Sequence, residues 1–136
     1  MVREREGKGD MTTRIANPIL GKTKPDLDAK GDCYRANGKL FLEICRQHPE
    51  MAPTTRLCHG WVTPRTGKCK GRTFHHAWVE LQEDLVLDYC NGGKVTTRRG
   101  DYYKYGRIEE SLVVRYDYEQ VMVRLLKTKE WSLGSV

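Results

Sequence analysis

Long apolar runs are missing from this 136-residue chain. No stretch approaches the ~20 apolar residues of a membrane span, so no membrane partner is expected. The first ten residues are charged and no apolar run follows them, which speaks against a secretory signal and predicts an intracellular, cytoplasmic protein. Close cysteine pairs are missing as well. Cys33, Cys45, Cys58, Cys69 and Cys90 are odd in number, irregularly spaced and include no Cys-x-x-Cys. That disfavours a disulfide framework in a reducing compartment. It also disfavours a structural zinc site, although Cys58, His59, Cys69, His75, His76 and Cys90 supply ligand types enough for one. Acidic residues are in the minority, 18 against 24 basic ones, for a formal charge of +6. An excess of this size supports solubility and weak affinity for anions, and does not specify a function. No internal repeat is present.

What is there suits one small domain. Hydrophobic residues make up 38% and charged residues 31% of the chain, and a chain of this length can bury a core without metal or disulfide staples. Residues 1–30 are rich in Lys, Arg, Gly, Thr and Pro, with one apolar patch at 15–20. They are expected to form a partly flexible basic segment ahead of a single domain at 31–136.

The domain is expected to open on a helix. Asp32 is an N-cap residue type, and Cys33, Ala36, Leu40, Phe41, Ile44 and Cys45 then recur at helical spacing as one apolar stripe. Gly38 weakens that helix by about 1 kcal/mol relative to alanine, which suggests tight packing at its centre. His48-Pro49 ends it. Residues 56–63 read as a strand with Gly60 at a bulge, and residues 64–72 as a flexible basic loop. Residues 73–81 form the clearest strand. Gln82-Glu83-Asp84 is a turn into a strand over 84–89, making a hairpin. Residues 94–107 carry three tyrosines and no clear period. Residues 111–116 read as a strand, and Asp117 with Gln120 makes a capping box for a last helix. Val121, Met122, Leu125 and Leu126 are its expected buried face. The order is helix, antiparallel strands, helix, an α+β arrangement.

Chemistry concentrates in three residues. Cys33 is in the first helical turn, where unpaired N–H groups and the helix dipole favour an anion and raise a thiol's thiolate fraction. The Cys33 N–H is a candidate oxyanion donor. Asp32 opposes this by like charge unless its carboxylate caps the helix. A thiolate nucleophile needs a base, and imidazole is suited to it near neutral pH. Strand alternation places His76, Trp78 and Glu80 on one face, and His75, Ala77, Val79 and Leu81 on the other. Asp88, on the next strand, lies within reach of His76 across the hairpin.

A cysteine at a helix start, then His76-Ala77-Trp78-Val79-Glu80, then Leu85-Val86-Leu87-Asp88, resembles the transglutaminase-like branch of the papain-like cysteine enzymes, over about residues 32–90. The Asp-Cys helix start is also similar to that of bacterial cell-wall amidase-peptidases, which fit the His-Ala-Trp strand less well. The first resemblance implies a helix packed on an antiparallel sheet. It also implies amide hydrolysis or acyl transfer without a cofactor, on a protein or peptide amide. Cys33 would be the nucleophile, His76 the base and Asp88 its orienter. Trp78 is expected on the site floor, with Trp61 at its rim and His59 either structural or at that rim.

The rival reading is a non-catalytic domain that binds protein or nucleic acid. It rests on the cations of residues 65–72 and on Tyr102, Tyr103 and Tyr105 near Arg98, Arg99 and Lys104, since interleaved rings and cations hold single strands. Oligomeric state is not legible in the sequence.

Overall fold

A computed structural model describes residues 32–89 and 93–134. The expectations for residues 1–30, and Cys90 as a candidate zinc ligand, lie outside the described residues. Helix α1 runs Cys33–Gln47, followed by a 3₁₀ segment at Pro49–Thr54. The strands are β1 (Arg56–Val62), β2 (Phe74–Leu81), β3 (Leu85–Asp88) and β4 (Val95–Arg98). Helix α2 (Arg99–Tyr105) and a 3₁₀ turn (Glu110–Leu112) lead to β5 (Val114–Tyr116) and helix α3 (Tyr118–Thr128). The five strands form one sheet, ordered β4-β3-β2-β1-β5, and every neighbouring pair is antiparallel. The result is an α+β domain. No helix among the described residues is long and apolar enough to cross a membrane.

Strand alternation gives the sheet two apolar faces. Leu57, Val79, Leu81 and Leu87 pack against Leu40, Phe41 and Ile44 of α1 and Val121 of α3. On the other face Cys58, Val62, Trp78 and Val86 pack with Tyr102 of α2. Each fully buried Leu, Ile or Phe contributes ~1.5–3 kcal/mol, which outweighs the ~1 kcal/mol that Gly38 costs α1. That glycine is required: a Cβ there would lie 2.5 Å from Cε3 of Trp131.

Five local expectations change. Gly60 marks no bulge, because the β1–β2 register runs unbroken from Arg56↔Glu80 to Val62↔Phe74. Glycine is there because a Cβ would meet Cη2 of Trp78 at 2.9 Å. The strand read over 111–116 shrinks to Val114–Tyr116. The segment 94–107 resolves into β4 and α2, whose tyrosines follow no simple stripe. Leu126 is 72% exposed, since Trp131 and Leu133 fold back and close the core on Val121 instead. The capping box of α3 forms as read, Asp117 Oδ1 accepting from Gln120 N and Gln120 Oε1 from Asp117 N, both at 2.9 Å.

The fifth change concerns the loop between β1 and β2, which is pinned. Gly71 N donates to Pro64 O at 2.8 Å and Arg72 N to Cys69 O at 3.0 Å. Arg65 Nε donates to Lys104 O at 2.7 Å, and Tyr105 Oη to Thr66 O at 3.0 Å. Gly67 and Gly71 hold left-handed backbone there, at φ +86° and +75°, which a side chain disfavours.

Candidate catalytic site

Cys33, His76 and Asp88 converge where α1 begins, at one end of β2 and β3. His76 Nε2 and Asp88 Oδ2 are 2.8 Å apart. A carboxylate only accepts, so Nε2 carries the proton and donates it. The two residues are not directly opposed: the β2–β3 pairs end at Val79↔Leu87, and His76 meets Asp88 on the diagonal, a spacing that long side chains bridge. With Nε2 committed to Asp88, Nδ1 is the ring atom left for the Cys33 sulfur. Nδ1 is buried and makes no hydrogen bond of ordinary geometry among the described residues. Cys33 itself is buried, at 4% exposure.

Electrostatics fits this arrangement. Burial would depress the His76 pKa. The charge and hydrogen bond of Asp88, with the Cys33 sulfur, outweigh it and push His76 up to about 10. Asp88 is held below its ordinary value in spite of burial, by the His76 charge and by hydrogen bonds from His76, Tyr102 and Asn37. The imidazole is thus held as a cation between the Asp88 carboxylate and the Cys33 sulfur.

Two supporting residues are not among those the sequence assigns to the site. Tyr102 Oη donates to Asp88 Oδ2 at 2.6 Å. Asn37, wholly buried on α1, donates through Nδ2 to Ala77 O at 2.9 Å and to Asp88 Oδ1 at 3.0 Å. Its Oδ1 accepts from Tyr89 N at 2.8 Å. The one available clue was its position four residues after Cys33, which places both on one face of α1. An amide interrupting an apolar stripe invites that question.

The expected substrate contacts fare unequally. Trp78 is fully enclosed. Its ring lies behind His76, 6.2 Å between centroids and 26° between planes, and its Nε1 donates to Glu80 Oε2 at 3.0 Å. It backs the imidazole, and no substrate reaches it. His59 is also fully buried, set against Tyr34, His75 and Tyr116. Burial and the charges of His75, His76 and Arg124 pull its pKa down to about 4. Trp61 is 48% exposed and packs edge-on against His75 at 4.9 Å, so it is the member of this trio that meets solvent. Tyr34 Oη hydrogen-bonds His75 Nδ1, which places His75 on the α1 face and leaves His76 to the site.

Asp32 precedes α1, but its side chain makes no cap hydrogen bond. Its charge therefore stays beside Cys33. Glu80 anchors the far side of the Trp78 face, accepting from Arg115 Nε at 3.0 Å and from Tyr103 Oη.

Among the described residues, which leave out the candidate ligand Cys90, no three His, Cys, Asp or Glu side chains gather as a metal site. Cys58 and His59 are adjacent, so β1 sends them to opposite faces. Cys58 packs with Trp78 and His59 with Tyr34. Burial raises the Cys58 thiol well above its ordinary value, Glu80 adding to it, and raises Cys45 to about 11, with Arg56 partly offsetting. Neither is placed for chemistry.

No family model, no curated protein and no solved structure matches this chain. The functional reading rests on the site itself.

Proposed function

We propose that the chain is a cysteine-dependent amide hydrolase or acyltransferase of the transglutaminase-like, papain-like kind, acting on a protein or peptide amide through a thioester. The observation that carries this is the His76 imidazole: Nε2 is fixed by Asp88 at 2.8 Å, and Nδ1 is buried without a conventional partner beside Cys33. A buried, unsatisfied ring nitrogen costs ~1–3 kcal/mol, and a reacting thiol is what makes that cost useful.

The proposed steps use these groups in turn. Cys33 reacts as the thiolate, its proton already held on Nδ1 of the His76 imidazolium. The sulfur attacks the carbonyl carbon, and the π electrons move onto oxygen. N–H groups in the first turn of α1 stabilise that oxyanion. The intermediate collapses, and Nδ1–H protonates the departing amine. Water or a second amine then attacks the thioester with Nδ1 as base, and the C–S bond breaks to return Cys33 as the thiolate beside the imidazolium. Asp88 stays ionised, holding the tautomer and stabilising the imidazolium. No cofactor takes part in these steps.

The test is alkylation of Cys33 by iodoacetamide between pH 5 and 7, read by mass spectrometry of the labelled peptide, in the parent and in His76→Ala. The expected result is a fall of about tenfold or more in His76→Ala, because the imidazolium no longer supports the thiolate. Equal rates would overturn the catalytic reading. The rival is a scaffold that binds nucleic acid. It predicts salt-dependent retention on DNA or RNA that survives Cys33→Ser. Against it, Tyr102 and Tyr103 are turned inward, their hydroxyls on Asp88 and Glu80, which leaves Tyr105 as the exposed ring of the three.

A further inference from the structure

Cys33 belongs to α1, which packs on one face of the sheet, whereas His76 points with Trp78 and Glu80 to the other. A continuous sheet would keep them apart. We infer that Asn37 is a positioning residue: its carboxamide replaces one bond of a rung between β2 and β3 and opens the sheet where thiol and imidazole meet. This rests on the catalytic reading above for its consequence, though not for its geometry.

The register shows the substitution. The β2–β3 pairs are Leu81↔Leu85, Glu80↔Val86 and Val79↔Leu87, and they stop there. On its other side β2 stays paired with β1 as far as Val62↔Phe74. Two residues past Val79↔Leu87, Ala77 would stand opposite Tyr89, and in an antiparallel ladder pairs two apart share the same hydrogen-bonding class. One of the two bonds of that rung would run from Tyr89 N to Ala77 O. Both groups bond to Asn37 instead, Ala77 O accepting from Nδ2 at 2.9 Å and Tyr89 N donating to Oδ1 at 2.8 Å.

The amide orientation is fixed by chemistry. Nδ2 faces two oxygens, Ala77 O and Asp88 Oδ1, and Oδ1 faces an N–H; the flipped amide would set oxygen against oxygen twice. Ala77 O and Tyr89 N therefore keep partners where the strands part; a buried backbone group left without one costs ~1–3 kcal/mol.

Three things follow at the gap. Asp88, next to Tyr89, has Oδ1 taken by Asn37, which leaves Oδ2 to His76 and Tyr102. His76, next to Ala77, is brought to the edge of the opening. Cys33 lies one helical turn before Asn37 on the same face of α1, so the contact that opens the sheet also sets where the thiol enters it.

The experiment has two readouts. Amide hydrogen exchange in the parent should show Tyr89 N–H protected to the level of Leu87, although it lies beyond the last strand pair; rapid exchange at Tyr89 overturns the wedge. Cys33 alkylation by iodoacetamide at pH 6 is then measured in Asn37→Ala, alone and with His76→Ala. The expected result is a rate about tenfold below the parent, with little further loss when His76 is also removed. A folded Asn37→Ala that alkylates like the parent overturns the positioning role. If Asn37→Ala does not fold, Asn37→Ser, which keeps a buried hydroxyl, is measured in its place against the same two outcomes. A parent whose Cys33 ignores His76 removes the catalytic reading and the positioning role together, while Tyr89 protection still decides the wedge.

Discussion

Asp88 gathers more of the site than any other residue described, accepting from His76, Tyr102 and Asn37. A hydrogen bond to an ionised group contributes ~1.5–3 kcal/mol, against ~0.5–1.5 for a neutral pair. Tyr102→Phe, which removes the 2.6 Å donor and little volume, should therefore lower unfolding stability by about 1.5–3 kcal/mol, measured as a shift in denaturant midpoint at unchanged slope. Asp88→Asn should act on reactivity. It replaces the anion that raises the His76 pKa, so Cys33 alkylation at pH 6 should fall by about tenfold or more. An Asp88→Asn protein that alkylates at the parent rate would show that the carboxylate is structural only.

Two elements carry conformations that their sequences do not favour. The first is α1, where Gly38 abuts Trp131 at 2.5 Å from the missing Cβ. Helix propensity alone predicts that Gly38→Ala gains ~1 kcal/mol; overpacking against a partly buried indole reverses the sign and costs about 1–3 kcal/mol. Thermal unfolding of Gly38→Ala, and of Gly38→Ala with Trp131→Leu, separates the two, because the second change makes room for the methyl. The second element is the end of α3, where Lys129 adopts left-handed backbone at φ 59°. This conformation costs a non-glycine residue ~1–2 kcal/mol, and glycine loses ~0.5–1 kcal/mol more entropy on folding. Lys129→Gly should stabilise by about 0.5–1 kcal/mol, read as a raised denaturant midpoint.

Over the whole molecule, two buried histidines shape stability against pH in opposite senses. His59 is held down to about 4 by burial and neighbouring cations. Between pH 4 and the ordinary value near 6.5 the unfolded chain binds a proton there that the folded chain refuses, so stability rises with pH. His76 is pushed up to about 10. Its stabilisation is complete below pH ~6.5 and is lost as pH rises from there towards 10, at up to ~1.4 kcal/mol per pH unit for one proton. Asp88, with its depressed value, adds stability above pH ~4 that is lost on further acidification. These three groups favour a maximum near pH 6–7. Urea unfolding of His76→Gln across pH 5 to 10 should show the alkaline limb flattened; an unchanged limb would place the titrating group elsewhere. The sequence by itself determined the parts that depend on neighbours along the chain. The helix that starts at Cys33, the strand carrying His76, the hairpin to Asp88 and the capping box of α3 all rest on periods of 3.6 or 2 and on capping chemistry. Only the tertiary structure decided that Asn37 spans the gap to Ala77 and Tyr89, that Tyr102 closes over Asp88, and that Trp78 and His59 turn inward while Trp61 stays at the surface. The reason is physical: the Asn37, Tyr102 and His59 contacts join residues 14 to 57 positions apart. Strand register and helix packing set such contacts, and no local pattern of residues encodes them.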